Sequence, residues 1–238
     1  MKQLHNYVLI FGLFGTILSS YGSAINVYPL DLDVNYQSRF HDVQVYNVGN
    51  DKAYVALNIA LVKHPGLPDQ QEIPLQDNPY QVGLIVTPNK MVIPPGQMRM
   101  ARMLYIGQPP EEDLVYKVRI APATGQYVVI SNNNGVNAGV NVIIAYSVNV
   151  FVRPLKPLVK MSLVRQGQDL RFENQGNTNV LIGYCQQCPT QDPKHCTSFD
   201  VSKRIYARET YHYQLPSALP VTCNQYFENT PQAKISSN

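Results

Sequence analysis

The chain contains no tryptophan and little charge: 15% of its 238 residues are Asp, Glu, Lys or Arg, and the formal net charge is +3. So weak and mixed a balance lacks the basic footprint that neutralises nucleic-acid phosphates. Beyond residue 24 no long apolar stretch occurs, so no membrane insertion is expected of residues 25–238. There is no glycine-rich phosphate loop, no G-x-S-x-G and no H-E-x-x-H. His64 precedes Pro65-Gly66, a turn setting, and the acids of "PPEEDL" crowd one loop in the manner of a solvated turn. These absences argue against an enzyme, and nothing calls for a cofactor. A helical period is also missing after the leader, which removes α and α/β architectures.

What is present reads as an exported β-protein. Lys2 gives a basic start, "YVLIFGLFGTIL" an apolar core and "YGSA" a small-residue end, so residues 1–24 are expected to be a signal peptide cleaved after Ala24. Prolines number 18 and tyrosines 16, consistent with many strands and turns. Short apolar-alternating runs recur: "VQVYNV", "AYVALNIALV", "GLIVTP", "VYKVRIAP" and "TGQYVVI". In "KMVIPPGQMRMARMLYI" a Pro-Pro-Gly turn separates two strands. "RPLKPL" has the two prolines of a stiff hinge, dividing a first domain, 25–154, from a second, 155–238. The tail "TPQAKISSN" is expected to fray.

All four cysteines, Cys185, Cys188, Cys196 and Cys223, fall in that second domain. An even number in an exported chain reads as two disulfides, whose pairing spacing alone leaves open. Zinc is the alternative, because Cys185 and Cys188 form a C-x-x-C and His195 adjoins Cys196.

One stretch stands out. In "VNVIIAYSVNVFVRP" every even position is apolar: Val140, Val142, Ile144, Tyr146, Val148, Val150 and Val152. A period of two sets them on one face of a single strand about 43 Å long, at about 3.3 Å per residue. A central sandwich strand accounts for part of that length. The remainder is expected to project beyond its own core, and an exposed apolar strand invites another chain to pair with it.

Four stretches in order resemble the periplasmic chaperones of chaperone–usher pilus systems, the PapD-like superfamily. "VQVYNVGNDKAYVAL" is similar to an early strand pair, and "GLIVTPNKMVIPPGQMRMARML" to a segment with a Pro-Gly turn and a basic strand. "EEDLVYKVRI" resembles the strand before a variable loop, and "VNVIIAYSVNVFVRP" the donor strand that ends in an aromatic and Arg-Pro. The late "IGYC…C" is similar to the alternate, alpha-fimbrial branch. The resemblance implies an all-β fold of two tandem immunoglobulin-like β-sandwich domains in an L-shaped arrangement. It implies a periplasmic chaperone that binds fimbrial subunits by donor-strand complementation and delivers them to an outer-membrane usher. Val140, Val142, Ile144 and Tyr146 would be the donor residues, with Val148, Val150 and Val152 in the chaperone's own core.

The resemblance also implies that Arg153 pairs with acids to set the angle between domains, with Glu112, its neighbour Asp113, or Asp200 as partners. A lone strand-end arginine in water is the alternative. One departure stands against the family pattern. Its basic anchor for the subunit's terminal carboxylate is absent, since Asn149 occupies the lysine position and "YPLDLDVN" is acidic where an arginine belongs. Arg39, Arg119 and Lys156 are the candidate replacements. A second class is a pilus structural subunit or adhesin with immunoglobulin-like domains. A subunit carries its donor segment as an N-terminal extension, whereas here the long strand is internal and a hinge and second domain follow it.

Overall fold

The structure, a computed structural model, describes residues 24–75, 83–123, 144–189 and 195–237. These residues form strands and turns, with no helix among them. The first half builds two sheets. In one, β1 (Ile25–Tyr28) pairs with β3 (Phe40–Asn47), then β8 (Met98–Tyr105), then β6 (Leu84–Thr87). In the other the order is β2 (Asp31–Val34), β10 (Tyr146–Val152), β9 (Leu114–Pro122), β4 (Ala53–Lys63) and β5 (Gln71–Pro74), with β7 (Lys90–Ile93) also on β4.

Strand alternation explains why these sheets pack. Val43 and Val45 from one sheet, and Val118, Ile120, Val148 and Val150 from the other, are fully buried in one apolar cluster. Each such side chain contributes about 1.5–3 kcal/mol by leaving water. The turn between β7 and β8 follows from its residues. Pro95 supplies the fixed φ, Gly96 takes a φ of +68°, and Gln97 N–H donates to the Pro94 carbonyl at 3.2 Å.

The first strand is divided. Pro29 has no N–H to continue a ladder, and the chain crosses there from one sheet to the other. β1 runs antiparallel to β3, whereas β2 runs parallel to β10. Neither β1, β2 nor β5 stood out in the sequence, being short.

The second half repeats the plan. β11 (Met161–Gln166), β12 (Asp169–Asn174) and β15 (Thr210–Gln214) face a sheet of β14 (Thr197–Ile205), β13 (Val180–Gln187), β16 (Val221–Phe227) and β17 (Thr230–Pro231), with β18 (Ile235–Ser237) also on β16. Leu170, Phe172, Val180, Ile182 and Ile205 are fully buried between them. The molecule is thus all-β, with two immunoglobulin-like sandwiches.

Two expectations are resolved here. The disulfides are Cys185–Cys223, joining residues opposite each other on β13 and β16, and Cys188–Cys196. All four sulfurs are consumed, which removes the zinc alternative. The tail is a correction: β17 and β18 pair with β16, and Ile235 packs on the second core. Its mostly polar and small residues hid a strand held by its ladder to β16 and by the half-buried Ile235.

Candidate functional site

The outward face of the sheet containing β10 is ordered in rows that climb away from the second half. In the lowest row Val62, Val115 and Phe151 lie side by side on β4, β9 and β10. They are buried because Tyr206, from the second half, packs over them. The middle row is Ala60, Lys117, Asn149 and Asp31, and the upper row is Asn58, Arg119 and Ser147. Ser147 and Arg119 are exposed, and Asn149 and Lys117 half-buried. One strand therefore serves two purposes: Val148, Val150 and Val152 fill the sandwich while the residues between them face outward.

Just past the lowest row stands Arg153, only 1% exposed. A guanidinium carries five donors and no acceptor, and here the acceptors surround it. Its Nε donates to Asp33 Oδ1 at 3.0 Å, and Nη2 bonds the same oxygen. Its Nη1 donates to Asp113 Oδ2 at 2.6 Å and to Thr178 Oγ1 at 3.0 Å. The rings of Phe151 and Phe227 lie 5.3 and 5.0 Å from its centre. Arg204 extends the network, donating to Asn179 Oδ1 at 2.7 Å and Asp31 Oδ2 at 2.8 Å while lying over Phe151.

Asp113 is bonded to both halves. One oxygen accepts from Arg153, the Asn179 amide and the Asn179 side chain; the other accepts from Thr178 Oγ1 at 2.9 Å. Burial pushes its carboxyl above the usual range, against the pull of Arg153 and these hydrogen bonds. Arg153 comes from the first half, and Thr178, Asn179 and Arg204 from the second, so these bonds cross the boundary between sandwiches.

The sequence-derived residues fall as follows. Arg153 lies in an ion pair, but with Asp33 and Asp113. Glu112, which like Asp113 precedes β9, instead pairs with exposed Arg208. Asp200 accepts from Ser202 Oγ at 2.6 Å, within its own strand. Tyr146 is half-buried against the first core, and its hydroxyl donates to Asn26 Oδ1 at 3.0 Å. Ile144 is 54% exposed and precedes the start of β10. Val140 and Val142 lie outside the described residues, and the strand proper begins at Tyr146. Asn149 is held by Asp31 at 2.8 Å. Of the replacement cations, Arg39 lies over the Tyr36 ring and Lys156 is exposed in the linker.

Asp31, Asp33, Thr178, Asn179 and Arg204 were missed. The signal for two of them is visible in "DLDV", where alternate aspartates share one face opposite Leu32 and Val34. The others are brought in only by packing of the second half.

A further feature is the edge of β10. β9 lines one side throughout, but β2 covers the other side only from Asn149 to Val152. Among the described residues no strand covers that side at Tyr146–Val148. An open edge of this kind has backbone groups available to a further strand.

The described residues thus form two immunoglobulin-like sandwiches in tandem, with a strand open along part of one edge and a buried ionic junction between them. The chain has the fold of the chaperone–usher pilus chaperones. It superposes on the class 5 fimbriae chaperone CfaA with a TM-score of 0.66 at 17% identity, over 90% of this chain and 98% of that one. The SafB chaperone solved with the SafA pilin of Salmonella enterica gives 0.63 at 12% identity, over 90% and 96%. In sequence, the chain is 21% identical over 211 residues to a CFA/I fimbrial subunit of Escherichia coli, covering 85% of each. It is 24% identical over 191 residues to a CS1 fimbrial subunit of the same organism, covering 78% of each. No protein-family model matches the chain.

Proposed function

We propose that this protein is a periplasmic chaperone that holds fimbrial subunits by donor-strand complementation and passes them to an outer-membrane usher. The observation that carries the reading is the division of β10. Its lower half is locked in the protein's own core through Val148, Val150 and Val152, while Tyr146–Val148 keeps one edge open and Ile144 is exposed. A strand anchored at one end and open at the other is suited to completing a partner's sheet. Val140, Val142 and Ile144 would enter the subunit core, with Tyr146 at the boundary. Each buried aliphatic side chain would contribute about 1.5–3 kcal/mol, and main-chain hydrogen bonds would satisfy the partner's edge. Release would follow exchange for a better-fitting strand, with no nucleotide, metal or catalytic step.

The second reading is a structural subunit or adhesin, which the fimbrial-subunit names of the two E. coli relatives, at 21% and 24% identity, are too weak to favour. Weighing against it, β10 is internal, pairs on both sides at its base, and is followed by a second sandwich.

The test is co-purification from the periplasm with mass spectrometry, comparing wild type with Val142→Asp/Ile144→Asp. Pilin-like chains brought down by wild type alone, with both proteins folded by circular dichroism, support the reading. Equal capture by both, or none by either, sinks it.

A further inference from the structure

The turn at His64-Pro65-Gly66, which the sequence presents as a solvated loop, meets the second sandwich. This β4–β5 loop is braced by its own side chains. His64 Nδ1 and Asp69 Oδ2 share a 2.6 Å hydrogen bond, and Gly66 N–H donates to Gln70 Oε1 at 2.9 Å. The Leu67 and Gln70 N–H groups close successive turns onto the His64 and Leu67 carbonyls. Facing the loop is the β14–β15 turn, residues 206–209. Glu209, only 8% exposed, holds that turn together. Its Oε2 accepts the Tyr206 N–H at 2.8 Å, and its own N–H donates to the Tyr206 carbonyl at 3.1 Å.

The Tyr206 ring is held from two sides. One side packs on Val62, Val115 and Phe151. The other lies against Gly66, where a Cβ would stand 2.8 Å from Tyr206 Cδ2, closer than side chains approach one another. The φ of Gly66, +83°, is likewise a glycine conformation. Lys203 Nζ donates to the Gly66 carbonyl at 3.4 Å and lies 3.7 Å from Glu209 Oε1. Position gives these contacts leverage. Near the end of β14, Arg204 reaches Asp31 on β2, while Tyr206 reaches the loop that follows β4. β2 and β4 are three strand spacings apart in their sheet, about 14 Å at about 4.8 Å each. The Arg153–Asp113 cluster lies between them, after β10 and before β9. Contacts confined to that cluster would leave the second sandwich free to rock about it. A contact on each side of it removes that freedom.

We infer that the β4–β5 loop is a latch: Gly66 seats the Tyr206 ring and so fixes the angle between the sandwiches from the β4 side of the sheet. The seat works by shape, since a bare glycine is what lets the ring reach the outward face of β4, β9 and β10. Lys203 and Glu209 position the turn that carries the ring. The inference stands on this geometry and does not depend on the proposed chaperone function.

The experiment measures the distance between spin labels on the two sandwiches of the full-length protein by pulsed electron paramagnetic resonance. The labels are carried by Val92→Cys and Gln214→Cys, both exposed positions on strands. The otherwise unaltered protein should give one narrow distance peak. Tyr206→Ala should broaden it, whereas Tyr206→Phe, which keeps the ring, should leave it narrow. Gly66→Val should shift or broaden the peak without touching the second sandwich's own sequence, which covers the case in which Tyr206→Ala unfolds that half. Gly96→Val is the control for backbone strain, because Gly96 has a φ of +68° but no atom of the described residues within 4 Å of its Cβ position. It should keep the narrow peak. An unchanged peak in folded Tyr206→Ala would overturn the inference by showing that the Arg153 cluster suffices. Equal broadening by Gly66→Val and Gly96→Val would also overturn it, since strain and not the seat would then be responsible.

Discussion

Arg153 shows how much one side chain can depend on its surroundings. A buried guanidinium is tolerable only when paired and hydrogen-bonded, and here Asp33, Asp113 and Thr178 supply the partners. Removing the cation leaves two carboxylates facing each other away from water. Arg153→Ala is therefore expected to cost about 3–5 kcal/mol, read as a shift in the urea midpoint. Arg153→Lys should recover little of this, since an ammonium cannot span both acids with a planar fork. Asp113 carries a pH signature. Burial raises its folded pKa above 3.8, so just above that value the folded chain retains a proton that the unfolded chain has released. Its contribution to stability is thus largest below the unfolded pKa and falls as pH rises through the folded one. The stability of wild type relative to Asp113→Asn should decline with rising pH across that window in urea titrations. A difference that grows with pH would contradict the burial argument.

At the scale of the element, β10 divides into an anchored and a free portion. Val150 is fully buried and Ile144 is 54% exposed, although both continue one even-numbered series. Truncating Val150 to Ala removes buried methyls and leaves a cavity, with an expected loss of about 1.5–3 kcal/mol. Ile144→Ala should change the stability of the unbound protein by less than about 0.5 kcal/mol. Equilibrium unfolding of the two variants separates the portions directly: equal losses would mean that the free portion belongs to the core. The seven even positions were legible as a single apolar face, because a period of two requires only the sequence. Where the protein's own core stops was not legible, because that depends on how far the facing sheet extends.

For the whole molecule, the two sandwiches differ in what closes them. The first packs on an apolar core and has no cysteine, whereas the second carries both disulfides. Cys185–Cys223 spans 38 residues and Cys188–Cys196 spans 8, so loop-closure entropy assigns them about 4 and about 2.5 kcal/mol respectively. Cys185→Ala/Cys223→Ala should therefore destabilise more than Cys188→Ala/Cys196→Ala, and the loss should appear in the second sandwich first. Hydrogen exchange resolved by strand checks this: early loss of protection in β3 or β8 would mean that the halves unfold as one unit.

The sequence by itself determined the all-β class, the strand alternation, the Pro95-Gly96 turn and the presence of a long apolar face, each a local property of neighbouring residues. An even set of cysteines in an exported chain was enough to expect two disulfides, but the cross-strand register of β13 and β16 decided that Cys185 meets Cys223. Arg153 was recognisable beside its proline, yet its partners were decided in three dimensions. Asp33 arrives through the parallel pairing of β2 with β10, and Asp113, just before β9, is held by Thr178 and Asn179 as well as by Arg153, whereas Glu112 is drawn to Arg208. Thr178, Asn179 and Arg204 meet this cluster only because the second sandwich packs against Phe151. Periodicity states which face a residue occupies; register and the packing of one sandwich on another state what it touches.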